Sequence, residues 1–305
     1  MNLPRSSTAL PRVEWRERTS STNAELRELV EREGAAVPHG TVLATVQQTA
    51  GRGRLGRGWE MPPGTGLAMS MLIRGGGGSA PTSLDISWLP LLAGSAVSAA
   101  LQPFFSELTE RALENDEEVP ETRRVGVKWP NDVHVRDEHD AEHNSPGKKL
   151  CGILCEMLPN GDVIVGMGIN LFIPEWDLPT ERSTSLLAAG AYLGDDIYEG
   201  DEFTFGEPGI SAFDPRGAAI LDRVMSEIGT GLLALVARSK SEAQGVRIRA
   251  ARDSVTLGSE VRVHLPGGEI VDGRAVRLAD DGALVVDRPT GKQLVVHAGD
   301  VEHLR

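Results

Sequence analysis

The sequence predicts an α+β chain in two parts: a mixed or antiparallel sheet with flanking helices, then a small all-β module. Three observations carry this. Helix-period segments interleave with β-like runs over the first 250 residues or so. Two successive β-runs are joined by Pro159-Asn160-Gly161, and Asn-Gly tolerates the positive φ values of a tight hairpin turn. From Val255 onward the chain changes to short β-runs separated by glycine turns. A length of 305 residues fits about two domains at roughly 100–200 residues each, placed here at 1–252 and 253–305.

Residues 20–34 read as the first helix, with Thr22 and Glu25 spaced as a capping box and Gly34 as the stop. A strand at 41–46 follows, then a glycine-arginine stretch, then 67–73, apolar on both faces and therefore a central strand. The most apolar stretch, 84–101, is interrupted by Asp85, Ser87, Pro90, Ser95 and Ser98, short of the roughly 20 apolar residues of a membrane span. Leu89, Ala93, Ala96, Val97, Ala100, Leu101 and Phe104 recur at helical spacing, so a buried helix near 87–105 is expected. Strands follow at 125–135, 150–157 and 163–172, the last two being the arms of the Asn-Gly hairpin. A second long helix spans 216–237, with Ile220, Val224, Ile228, Leu232 and Leu235 on one face. Runs at 260–265, 269–278, 283–287 and 293–297, divided by Pro-Gly-Gly, Asp-Asp-Gly and Pro-Thr-Gly, then build a small barrel.

The chain has 44 acidic and 31 basic residues and a formal charge of −13, the wrong sign for a protein that coats nucleic acid. The acidity is concentrated in 106–124, 137–147 and 195–214, and the remainder is close to neutral. Like charges in blocks repel, so these stretches are expected as solvated surface insertions. The start, Met1-Asn-Leu-Pro-Arg-Ser-Ser, lacks the roughly 7–15 apolar residues of a secretory leader, so a cytoplasmic chain without a membrane partner is expected. Cys151 and Cys155 lie four residues apart in a β-like run, about 13 Å along one face and beyond disulfide reach. They read as buried thiols in a reducing compartment. Of the seven histidines only His139 and His143 have ligand-like spacing, in an expected loop, so no zinc centre is expected.

Gly51-Arg-Gly-Arg-Leu-Gly-Arg-Gly58 matches the dinucleotide pattern G-x-G-x-x-G but not its surroundings, since it opens no helix and no acid closes a strand about 20 residues later. Three arginines among four glycines can instead wrap backbone amides and forked guanidinium donors around a strongly anionic ligand. Glycine lets such a loop order as a lid when the ligand arrives. Val127-Lys-Trp-Pro-Asn-Asp132 is a strand that stops at proline and presents Lys128, Asn131 and Asp132 at its end. Lys149 begins the next strand, and Asn170 adds an amide among apolar neighbours.

Taken together, Ser20-Ser-Thr-Asn23, Gln48-Thr-Ala-Gly-Arg-Gly-Arg-Leu-Gly-Arg57, Lys128-Trp-Pro-Asn-Asp132, Lys149-Leu-Cys-Gly-Ile153, Gly166-Met-Gly-Ile-Asn170 and the terminal β-module resemble the biotin protein ligases of the biotin–acetyl-CoA-carboxylase ligase type. The resemblance implies a class II synthetase-like sheet, an SH3-like C-terminal barrel and a two-step reaction. Biotin and MgATP give biotinyl-5′-AMP and pyrophosphate; the acyl group then passes to a lysine of a carboxylase's biotin carboxyl carrier domain. Catalysis would fall to Lys149, Arg54 and Lys128. Ser21, Thr22, Asn23, Gln48, Gly51, Arg52, Gly53, Arg54, Lys149 and Gly152 would bind biotin. Arg52, Arg54, Trp59, Lys128, Asn131, Asp132 and Asn170 would bind ATP or the adenylate, with Asp132 also placing magnesium.

The 20 residues before Ser21 are too few for the winged DNA-binding domain of repressor-type relatives. A ligase-only form without a nucleic-acid partner is therefore implied, as a monomer or a homodimer. A lipoate or octanoate ligase shares the fold and the acyl-transfer logic, and a non-catalytic biotin sensor is the alternative of another class. The Gln-Thr-Ala-Gly-Arg-Gly-Arg loop and Lys-Trp-Pro-Asn-Asp favour biotin.

Overall fold

The computed structural model describes residues 1–75, 86–115, 118, 120–194 and 209–304. Most of the acidic stretch 195–214 therefore lies outside the described residues. In chain order, α1 (Pro4–Ala9), β1 (Val13–Trp15), α2 (Thr22–Glu33) and β2 (Val42–Thr45) precede a small hairpin of β3 (Gly51–Arg52) and β4 (Gly58–Trp59). There follow β5 (Gly66–Ile73), α3 (Leu89–Leu101), α4 (Pro103–Glu114), β6 (Arg124–Lys128), β7 (Asp132–Arg136), the short α5 (Glu138–Glu142), β8 (Lys148–Met157) and β9 (Val163–Asn170). Two helices, α6 (Pro215–Ser239) and α7 (Ala243–Asp253), lead to β10 (Glu260–His264), β11 (Ile270–Leu278), β12 (Leu284–Asp287), β13 (Gln293–Val296) and β14 (Asp300–His303).

The larger sheet runs β1-β2-β5-β9-β8-β7-β6 and is antiparallel throughout except for the parallel β1·β2 pair. The C-terminal strands form an antiparallel sheet in the order β13-β12-β11-β10-β14, consistent with the SH3-like module. Gly268, Gly282 and Gly291, one at each turn read from the sequence, all have positive φ, which glycine adopts without a Cβ clash.

Strand alternation sorts the two faces of the larger sheet. Met69, Met71, Ile153, Val165 and Met167 point into a core with Leu92, Val97, Ile228 and Leu232 of α3 and α6. On the opposite face Leu43, Leu72 and Ile164 pack beneath Leu26, Leu29 and Val30 of α2. Eleven of the thirteen residues of α3 are buried, which makes it the core helix expected rather than a span.

Several expectations are corrected. The cap of α2 is Ser21, not Thr22: the Ser21 hydroxyl accepts from Ala24 N at 3.5 Å, while Thr22 turns to other partners and Glu25 pairs with Arg16. The helix near 87–105 is two helices joined at Gln102, with Pro103 opening α4, which carries the chain into the first acidic stretch as far as Glu114. The single strand at 125–135 is the hairpin β6–β7, turning at Trp129-Pro130, where the peptide is cis. The stretch 137–147 contains α5 instead of being loop throughout. The elements α1, β1, α7 and β14 carry no strong sequence signal.

Candidate active site

On the α2 face the sheet is floored by missing side chains. Along β9 the residues Val163, Val165, Met167 and Ile169 enter the core, so Gly166 and Gly168 lie on the other face, and Gly168 pairs across β8 with Gly152. Trp59, held by β4, lies across this pair. A Cβ on Gly168 would overlap the indole, one on Gly152 would stand 2.9 Å from Trp59 Cζ3, and one on Gly166 would overlap the Asn23 amide. These glycines serve close approach rather than turning.

The first turn of α2 forms one wall. Thr22 N donates to Gln48 Oε1 at 2.9 Å, and the Thr22 hydroxyl lies 2.7 Å from Ser70 Oγ. Ser70, a fully buried hydroxyl in the otherwise apolar β5, also lies 2.6 Å from Asn23 Oδ1. The Asn23 amide donates to Glu156 Oε1 at 2.8 Å and Leu154 O at 3.3 Å. Glu156 is clamped in turn by Arg27. Each of these buried polar groups has a partner, so the wall is rigid before any ligand arrives.

Cations line the other side. Lys149 Nζ lies 2.7 Å from Asp132 Oδ1 and 5.6 Å from the Trp59 ring centroid. Its backbone is held between residues 182 and 184, through Lys149 N to Arg182 O at 2.8 Å and Thr184 N to Lys149 O at 2.9 Å. Burial works to raise the Asp132 carboxyl, but the His134 ring and the Lys149 ammonium outweigh it and hold the group well below the ordinary carboxylate range. Lys128 donates to Val301 O at 2.7 Å, and burial lowers its ammonium from the usual value. In the hairpin loop, Arg54 donates to Asn131 Oδ1 at 3.0 Å, Arg57 pairs with Asp300, and Gly53 N bonds Arg57 O at 2.7 Å. The Asn131 amide donates to Ile153 O at 2.7 Å, which fixes the arginine's anchor.

The insertion 137–147 gains a physical account. Asn144 donates to Glu260 O at 2.8 Å and to Leu304 O, accepts from Glu260 N at 3.2 Å, and offers its own carbonyl to His303 Nδ1 at 3.3 Å. It brackets the C-terminal module onto the sheet. Residues 300–303 thereby join Arg52, Arg54, Trp59, Lys128, Asp132, Lys149 and Gly152 around one cavity of about 1200 Å³. That exceeds the roughly 300–1,000 Å³ of a typical small-molecule site and leaves room for two substrates.

Most of the residues singled out from the sequence meet at this cavity: Ser21, Thr22, Asn23, Gln48, Arg52, Gly53, Arg54, Trp59, Lys128, Asn131, Asp132, Lys149 and Gly152. Two do not line it. Gly51 sits behind the hairpin, where a Cβ would overlap the Trp59 carbonyl, and Asn170 is buried with its amide on Thr184 O at 2.8 Å. Both act on the wall from behind. Sequence reasoning missed Ser70, Gly168, His134, Glu156 and residues 300–303. Ser70 had a usable signal, as the single polar residue in the run 66–73.

Residues 15–170 match the model of the biotin/lipoate A/B protein ligase family, and residues 256–304 match the biotin protein ligase C-terminal domain. The chain belongs to the biotin/lipoate A/B protein ligase family. Within that family its full-length likeness is to the biotin type. It is 32% identical to the biotin–[acetyl-CoA-carboxylase] ligase of Mycobacterium tuberculosis over 95% of this chain and 90% of that one. It is 32% identical to the bifunctional ligase/repressor of Bacillus subtilis over 58% of this chain and 46% of that one. Among solved structures, the biotin protein ligase from Aquifex aeolicus in complex with biotin and ATP aligns with a TM-score of 0.62 and 26% identity, covering 97% of this chain and 99% of that one.

Proposed function

We propose that the chain is an ATP-dependent biotin protein ligase that forms biotinyl-5′-AMP and transfers biotin to a lysine of a biotin carboxyl carrier domain. The observation that carries the reading is the meeting of Arg52, Arg54, Lys128 and Lys149 around one cavity floored by Gly152, Gly168 and Trp59. The full-length relative and the Aquifex aeolicus complex support the choice of substrates.

Physically, the first step must bring a carboxylate onto an α-phosphate although both are anionic. A biotin carboxylate oxygen attacks the α-phosphorus, and the bond to the bridging oxygen of pyrophosphate breaks. Lys149 and the loop arginines screen the repulsion and stabilise charge on the phosphoryl oxygens, a preorganised effect that is strong in a cavity shielded from water. Asp132 keeps the Lys149 ammonium in place through its 2.7 Å contact. Thr22 and Gln48 supply fixed polar groups for the ureido ring, and Trp59 supplies an apolar surface for the ring systems. Asp132, a carboxylate held as an anion, suits a hard cation, and magnesium brought with ATP would screen the phosphates there. In the second step the carrier's lysine amine attacks the acyl carbon and AMP leaves, with Arg54 and Gly53 keeping water out until the carrier arrives.

The test is biotin-dependent exchange of labelled pyrophosphate into ATP by purified protein, with magnesium and no carrier, and lipoate in parallel. Exchange with biotin alone is expected. Exchange with lipoate alone would move the chain to the sister activity, and silence with both would remove the catalytic reading.

A further inference from the structure

Behind the α2 wall the donors and acceptors can be ordered in one direction only. The Asn23 amide lies 2.8 Å from Glu156 Oε1 and 3.3 Å from Leu154 O. A backbone carbonyl and a carboxylate paired with an arginine both only accept, so the Asn23 NH2 group faces them and Oδ1 faces Ser70. Ser70 Oγ is 2.6 Å from Asn23 Oδ1 and 2.7 Å from Thr22 Oγ1. Its one proton goes to Oδ1, which has none to give. Thr22 must then donate to Ser70, and its 3.2 Å contact with Gln48 Oε1 is the weaker claim on the same proton.

The consequence reaches the cavity, because Thr22 and Gln48 line it. With its proton spent on Ser70, the Thr22 oxygen turns only lone pairs toward a ligand. Gln48 is fixed the opposite way. Thr22 N holds its Oε1 at 2.9 Å, which leaves the two N–H groups of Nε2 as donors. That nitrogen lies over Gly51, where a Cβ would stand 2.6 Å from it. An acceptor beside a donor matches a ring edge that carries N–H beside C=O, as a cyclic urea does; a dithiolane ring carries neither.

We propose that Ser70, fully buried and outside the cavity lining, is a positioning residue that sets specificity: the chain Asn23–Ser70–Thr22 locks the Thr22 hydroxyl as an acceptor, so the site demands an N–H at that point of the ligand ring. The proposal rests on the ligase reading above, which supplies the contact with the ureido ring; Ser70 sets its polarity. A ligand with a ring oxygen at that point would oppose lone pair to lone pair in a dry wall, which costs more than a hydrogen bond merely lost.

The test uses the full-length wild type, Ser70→Ala, Asn23→Ala and Thr22→Val, each checked for native circular dichroism. The probes are biotin and its two cyclic carbamate isomers, in which oxygen replaces one or the other ureido nitrogen while the carboxylate chain is unchanged. KM for each, and for MgATP, is taken from pyrophosphate exchange. In the wild type the isomer with oxygen opposite Thr22 is expected to have KM about 10²-fold above biotin. Thr22→Val identifies that isomer, since with no oxygen at the wall its penalty disappears. Ser70→Ala removes the group that takes the Thr22 proton, and Asn23→Ala lets Ser70 donate to Thr22 instead. Either change frees the Thr22 O–H to donate to the ring oxygen, so in both variants the ratio should fall to about tenfold or less with KM for MgATP unchanged. A loss of wall packing alone would weaken biotin and carbamate alike and leave the ratio at its wild-type value, which would overturn the proposal in whichever variant is folded. A wild type that uses biotin and both carbamates equally overturns it without any variant. Wild type silent with biotin would overturn the ligase reading itself, whereas an active wild type with no isomer preference overturns only the locked hydroxyl.

Discussion

Gly168→Ala is the sharpest test of the floor on which Trp59 lies. Gly168 is in ordinary β conformation, so alanine brings no backbone strain; its whole effect is the methyl group. That methyl would overlap the indole and stand 2.8 Å from Trp59 Cζ2, where ordinary contact begins near 3.6 Å, so the ring must lift by about 1 Å. Overpacking of this kind costs about 1–3 kcal/mol. The cost should fall on the two-residue strand β4 and its loop and spare the long β8–β9 pairing, because among the described residues β4 pairs with β3 alone. We therefore expect a thermal midpoint close to wild type with KM for biotin or ATP in pyrophosphate exchange raised about 10- to 100-fold, since about 1.4 kcal/mol is a factor of ten. Repeating the substitution in a Trp59→Ala background separates the cause. With the indole gone, Gly168→Ala should add nothing. Wild-type kinetics for the single variant, or an equal loss in both backgrounds, would show that Trp59 does not act from this position.

Lys149→Ala should reduce biotin-dependent exchange by at least about 10²-fold, the scale for losing one preorganised charge stabiliser, while circular dichroism stays native because Asp132 remains partly hydrated; near-wild-type exchange would refute its role. Burial and the nearby Lys128 ammonium push His303 down to about 3 in the folded chain, against about 6.5 for a free imidazole. The unfolded chain therefore binds the extra proton first. Stability attributable to His303 is full above about pH 6.5 and is lost progressively toward pH 3, at most about 5 kcal/mol, and His303→Gln should flatten that limb in urea titrations. Gly231→Ala on α6, where a Cβ meets nothing closer than Ala96 at 3.6 Å, should stabilise by about 0.4–1 kcal/mol in the same titrations, and destabilisation would contradict the packing.

The sequence made the sheet and the cations legible for different reasons. Long strands such as β5 and β9 announce themselves because both faces or one whole face must be apolar, and hairpin turns announce themselves through glycine at positive φ. Lys128, Asp132 and Lys149 stand out only as a set with the glycine-arginine loop, in motifs that resemble the family's, because a lone lysine at a strand start is ordinarily just solvated. What stayed hidden depends on pairing. Nothing local separates Gly168 from a flexible glycine until β9 is registered against β8 and the indole settles on the pair. Thr22 looked like a helix cap because its spacing to Glu25 is right, yet Ser70, 48 residues away, offers its hydroxyl a partner, and Ser21 can cap in its place. The acidic stretch 137–147 shows the same limit most clearly. Its charge predicted a solvated loop, and four of its residues are acidic, yet Asp137 and Asp140 line the cavity and the contacts to the C-terminal module and to His134 come from its uncharged end. Asn144 reaches the C-terminal module and Gly147 reaches His134, so a segment whose composition says surface is, at its last turn, part of the cavity wall. Composition reports the average exposure of a segment, whereas a site needs only two or three of its atoms to face inward.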